Sequence, residues 1–141
     1  MKRLILVFLF IIFSSFARAQ LNKSQSQITQ LMLNENSWKL DGTGHNKDGY
    51  PFLLYQSKEK NWIKSFYFNN NDSCIVIKVM IPQNQFKDVV KDMNKRFRFI
   101  SNSGYTWSDD KEKVFYAIKF TDNSLFFEVY KIPQSTKVWI R

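Results

Sequence analysis

The chain has 141 residues, a formal net charge of +9 and an aromatic content of 17%. Cys74 and His45 are its only cysteine and histidine. One cysteine excludes an internal disulfide, and one of each is a poor supply of zinc ligands, so the fold must rest on a packed core rich in large side chains.

Lys2 and Arg3 open the chain, Leu4 to Phe13 is an unbroken apolar run, and Ala17-Arg18-Ala19 supplies small residues in an A-x-A arrangement. That order of charge, apolar stretch and small residues is the order of a secretory signal peptide, here residues 1–19. The run is shorter than the roughly 20 residues that span a bilayer, and no second one follows. The expected mature protein starts at Gln20, forms one α+β domain over 20–141, and is secreted or periplasmic. Losing Lys2, Arg3 and Arg18 takes the net charge from +9 to +6. A moderately basic surface suits a protein or an anionic glycan. Export argues against nucleic acid, and no transmembrane segment is expected after the leader.

Ser26 precedes Ile28, Leu31 and Met32, which predicts a capped amphipathic helix over 26–35. Asn84 precedes Phe86, Val89, Val90 and Met93 in the same spacing, which predicts a second helix over 84–97. After each helix the chain repeats one series of signals. Gly49-Tyr50 answers to Gly104-Tyr105, Lys58-Glu59-Lys60 to Lys111-Glu112-Lys113, and Ile81-Pro82-Gln83 to Ile132-Pro133-Gln134. Between them lie strands at Phe52–Tyr55, Trp62–Phe68 and Cys74–Ile81, matched by Tyr105–Trp107, Val114–Phe120 and Leu125–Ile132. The offset falls steadily, from 58 at the helix to 51 at Ile-Pro-Gln, as small loop deletions would leave it. The last strands differ in phase at that offset, which calls for a one-residue register shift or a bulge in one copy.

These signals predict two α-β-β-β repeats, 24–83 and 84–134. One such unit buries too little surface to stand alone. Two make a two-layer α+β sandwich, an antiparallel sheet of about six strands with both helices on one face. The tail, Thr136 to Arg141, is free to add an edge strand. The expected inner residues of the strands are Phe66, Phe68, Ile75, Ile77, Val79, Ile118, Phe120, Phe127 and Val129. The layout resembles the duplicated saddle of the TATA-binding-protein-like fold and the repeated architecture of the secreted β-lactamase inhibitor proteins. The Asn, Lys, Ile and Phe richness, with a leader ending in Ala-Gln, resembles small exported proteins of Bacteroidota. Neither resemblance implies a site residue.

Chemistry is scarce. His45 lies in a polar segment, Asp41 to Gly49, with no Gly-x-Ser-x-Gly elsewhere to supply a nucleophile. The same segment offers oxygens at Asp41, Asn46 and Asp48, but an EF-hand needs Gly at its sixth position and Glu at its twelfth, where Asn46 and Phe52 stand. Asp109 and Asp110 are adjacent beside Lys111 and Lys113, with no second carboxylate set to face them across a substrate bond. No catalytic residue, metal site or cofactor is expected. A binding or inhibitory module is favoured over an enzyme, the alternative being a small secreted hydrolase whose site leaves no motif.

The strand phase opposite the expected core carries Ser65, Tyr67, Val76, Lys78, Met80, Phe115, Ala117, Lys119, Phe126, Glu128 and Tyr130. A face turned only to water would be more uniformly polar. Tyr67, Lys78, Phe115, Lys119 and Tyr130 are the expected ligand-binding residues, an aromatic and basic contact surface.

Overall fold

The computed structural model describes residues 18–59, 62–100, 104–121 and 124–131. The apolar stretch of the expected leader, the second Ile-Pro-Gln and the tail from Thr136 lie outside the described residues.

Eight strands form one antiparallel sheet: β1 (Trp38–His45), β2 (Pro51–Ser57), β3 (Ile63–Phe68), β4 (Cys74–Ile81), β5 (Arg98–Phe99), β6 (Tyr105–Asp109), β7 (Val114–Thr121) and β8 (Ser124–Tyr130). Their order across the sheet is β1-β2-β3-β4-β8-β7-β6-β5. Helix α1 (Gln25–Asn34) precedes β1, and α2 (Phe86–Arg96) precedes β5. Each half of the chain is therefore a helix followed by a four-strand meander, and the halves meet where β4 pairs with β8.

The expectation of six strands in α-β-β-β units is thus corrected to eight strands, four in each half. The two missed strands are the sheet's edges. β1 reads as a polar loop because it holds Gly42 and Gly44. An edge strand pairs on one side only, and β1 absorbs its irregularity in a bulge between Leu40 and Gly42. β5 has two residues, too few for any periodicity. The expectation of two helices is corrected as well: residues 18–20 carry a further helical turn, and a 3-10 turn at Gln83–Gln85 leads into α2.

Local chemistry sets the helix starts. Ser24, not Ser26, caps α1: its hydroxyl accepts from Gln27 N while the Gln27 side chain accepts from Ser24 N, a reciprocal capping box. The expected cap Asn84 sits instead inside the 3-10 turn, and α2 begins with no side-chain cap. Asp88 in its first turn and Lys95 and Arg96 in its last complement the helix dipole.

One core cluster joins the helices to one face of the sheet. It holds Ile28 and Met32 of α1, Val89 and Met93 of α2, and Phe66, Phe68, Ile77, Val79, Phe127 and Val129 from the central strands. Trp107 and Tyr116 extend it across the second half. Trp107 Nε1–H donates to Asn94 Oδ1 at 2.8 Å, which ties β6 to α2. Lys64, buried on this face, lies 4.7 Å from the Trp38 ring centroid and 3.8 Å from the Glu35 carboxylate. Burial pulls its pKa down, and Glu35 pulls the other way.

Two inner-face expectations need correction. Phe120 has the right phase but lies 60% exposed near the end of β7, where Phe86 at the start of α2 covers one side of its ring. Ile75 is buried but stands outside the core cluster. Tyr67 pairs with Val76 and Phe68 with Cys74, so Ile75 is an inserted residue, a bulge that resets the phase of β4. At an offset of 50, rather than 51, core residues Ile77 and Val79 then correspond to core residues Phe127 and Val129. Burial in the helices likewise matches Ile28 and Met32 to Val89 and Met93, an offset of 61 rather than 58.

Candidate sheet-face site

Strand alternation turns Tyr67, Lys78, Phe115 and Tyr130 to the face away from the core cluster: the first three are flanked by core residues on both sides, and Tyr130 follows core residue Val129. Cross-strand register then sorts this face into rows. One row runs Phe52, Tyr67, Val76, Tyr130, Phe115 across β2, β3, β4, β8 and β7. Four strand spacings make it roughly 19 Å long. Phe52 and Tyr67 stand with ring centroids 6.2 Å apart, and Phe115 stacks on Tyr130 at 5.7 Å with planes 22° apart. The two aromatic pairs flank Val76, which is buried.

The next row is Ser65, Lys78, Glu128, Ala117. Lys78 Nζ lies 3.4 Å from Glu128 Oε1 and 5.1 Å from the Tyr67 ring centroid. Its charge is therefore engaged by a carboxylate and an aromatic face. Burial, and the negative charge of Glu128, raise the pKa of Tyr130. Lys119 does not join this group. It pairs with Phe126, which pairs with Met80, in a third row farther along the strands, and it is exposed. Four of the five expected residues come together and the fifth stands apart.

Ser65, Val76 and Ala117, expected on an open face, are buried there. They are small and sit between larger neighbours that shade them. Phe52 was not read as part of the face. The alternation of buried Leu53 and Tyr55 is the signal that places it there.

The other candidate residues have local roles. Asn46 Oδ1 accepts from the N–H groups of Asp48 and Tyr50, so it shapes the turn between β1 and β2. His45 ends β1, paired with Pro51, and is exposed. Asp109 pairs with Arg18 at 3.1 Å and accepts from the N–H groups of Lys111 and Glu112. Asp110 takes two bonds from Arg98, at 2.8 and 2.9 Å, and one from Ser108 Oγ at 2.7 Å, which hold its carboxyl well below the usual range. Among the described residues, no three of His, Cys, Asp and Glu are grouped to hold a metal. No helix among them is long and apolar enough to cross a membrane.

No family model, curated protein or solved structure matches the chain, so no functional residue is carried over from a relative.

A second surface lies on the helix side. Phe86 and Val90, part of the apolar spacing that predicts α2, pack only partly against the core cluster. They line a groove of about 460 Å³ together with Lys87, Lys91, Asn94 and Lys95 of α2 and Tyr105 of β6. The apolar spacing of α2 could not separate core from groove wall, because both lie on one side of the helix.

Proposed function

We propose that the protein is an exported binding module, freed of its leader after Ala19, which holds a partner protein on the helix-free face of its sheet. The observation that carries this reading is the row Phe52, Tyr67, Val76, Tyr130, Phe115, in which two aromatic pairs flank a buried valine. Aromatic anchors beside small buried residues give a surface with relief. Such side chains contribute a large share of contact energy once desolvated. A protein is a better match than an anionic glycan, because Lys78 is already engaged by Glu128.

Leader removal is compatible with the fold. It would take away the partly exposed Arg18–Asp109 pair, and Asp109 would keep the two backbone donors of Lys111 and Glu112.

The experiment is capture from the export compartment with wild type and with the Tyr67→Ala/Tyr130→Ala variant as baits. A partner held by the wild type and lost by the variant, with both folded, is the expected result. A partner held equally by both overturns the reading.

A further inference from the structure

We infer that the groove beside α2 and the apolar side chains around it form a docking patch for an anionic phospholipid surface. The patch lies on the helix side of the sheet, opposite the Tyr67–Tyr130 row, and stands independently of the binding role given to that row.

Charge is the first observation. Lys87, Lys91 and Lys95 are spaced four residues apart, so they form one stripe along α2, with steps of roughly 6 Å. None of the three is in an ion pair among the described residues. The acids nearby offset the stripe only in part. Asp92 is held by Arg96 at 3.1 Å, and Asp110 by Arg98 at 2.8 Å. Asp88, in the first turn of α2, is exposed and makes no ion pair among the described residues. The groove lining contains no carboxylate.

The second observation is apolar. Phe120, Phe99 and Tyr105 are three of the seven large apolar side chains that stand exposed among the described residues. Tyr105 belongs to the groove wall, where Phe86 meets it at 4.9 Å, and Phe120 borders the groove through Phe86, at 5.3 Å between centroids. Phe99 adjoins them through Trp107, at 5.8 Å. These groups come from α2, β6, β7 and the β5 edge and turn outward around an open groove. Exposed aromatics beside lysines have the composition of a peripheral membrane contact: rings enter the headgroup boundary while amines meet anionic headgroups.

The scaffold does not demand the stripe. When the helices are matched by burial, with Ile28 on Val89 and Met32 on Met93, Ser26, Gln30 and Asn34 of α1 fall where α2 has its three lysines. Both helices pack on the same face of the sheet, and only one is basic there.

The test is co-sedimentation with phosphatidylcholine vesicles, with and without phosphatidylglycerol. Wild type should bind the anionic vesicles and bind the zwitterionic ones far more weakly. Each lysine near an anionic surface is worth about fivefold in binding, so Lys87→Gln/Lys91→Gln/Lys95→Gln should lose on the order of 100-fold. The control Lys47→Gln/Lys58→Gln/Lys111→Gln removes equal charge from exposed sites elsewhere and should lose far less. The Phe120→Trp variant should report ring insertion as a blue shift in emission, beyond that of wild type, when anionic vesicles are added. Equal loss in the two lysine triples, equal binding to both vesicle types, or the absence of that extra shift in the Phe120→Trp variant overturns the proposal. So does binding to polyglutamate without binding to anionic vesicles, which would make the occupant an acidic peptide.

Discussion

The two faces of the sheet predict opposite responses to truncation at nearly the same place. Ile77 lies on β4, opposite Val129 of β8 and Phe66 of β3, and all three are fully or almost fully buried. Ile77→Ala removes three carbon atoms, a transfer loss of about 2.4 kcal/mol at ~0.8 kcal/mol each. If the surroundings do not collapse, a void of roughly 75 Å³ adds about 1.8 kcal/mol at ~24 cal/mol per Å³. The expected cost is therefore about 2.4–4 kcal/mol. Tyr67, one position along on β3 and on the other face, is only half-buried and packs on Phe52 and Lys78. Its truncation forfeits an aromatic contact of about 0.5–1.5 kcal/mol and little enclosed volume. Urea unfolding followed by circular dichroism measures both. The reasoning fails if Tyr67→Ala costs about 3 kcal/mol or more, the range of a fully buried aromatic. Tyr67 would then belong to a covered interior, and the sheet-face site would be lost with it.

Four further outcomes follow from three buried polar groups. The Tyr55 hydroxyl is buried with no hydrogen-bond partner among the described residues, so Tyr55→Phe should raise stability by about 1 kcal/mol in the same urea assay. Burial pushes the Cys74 thiol up to about 12, so native protein should resist a thiol-disulfide reagent at mildly alkaline pH and react once unfolded. Between the ordinary thiol range and pH 12 the folded chain keeps a proton that the unfolded chain loses, so this group's contribution to stability falls as pH rises; Cys74→Ala should flatten that decline in a pH series of unfolding curves. Lys64 acts with the opposite sign, because its folded pKa is lowered and the unfolded chain holds the extra proton below 10.5; its contribution grows more favourable as pH rises toward that value, and Lys64→Met should remove the trend.

The central strands were legible because period-two alternation survives wherever one face is buried. Phe66, Phe68, Ile77, Val79, Ile118, Phe127 and Val129 all enter the core cluster as the alternation predicts. The edges were not legible. β1, an edge strand among the described residues, carries glycines and few apolar residues, and β5 is too short for any pattern to develop. At α1 the signal was present in the sequence: Ser24 and Gln27 have capping-box spacing, while Ser26 is merely the serine nearest the first apolar residue. The site divides along the same line. Alternation alone turns Tyr67, Lys78, Phe115 and Tyr130 to one face, but the neutralisation of Lys78 by Glu128 depends on β4 pairing with β8. Those strands lie in different halves of the chain, and no local pattern fixes their register.

That register also decides what kind of surface the face is. In the seam between the halves, Val76 faces Tyr130 and Lys78 faces Glu128. The small residues Ser65, Val76 and Ala117 are buried beneath larger neighbours. Slipping β8 by two residues would keep its core phase intact but set Glu128 opposite Val76 or Met80 and leave Lys78 without its carboxylate. The core tolerates either pairing in pattern, so alternation alone does not select between them. The ion pair and the aromatic row together favour one. Lys78 and Glu128 thus act in the fold before they act in any contact, and the proposed contact falls to the aromatic pairs on either side of Val76.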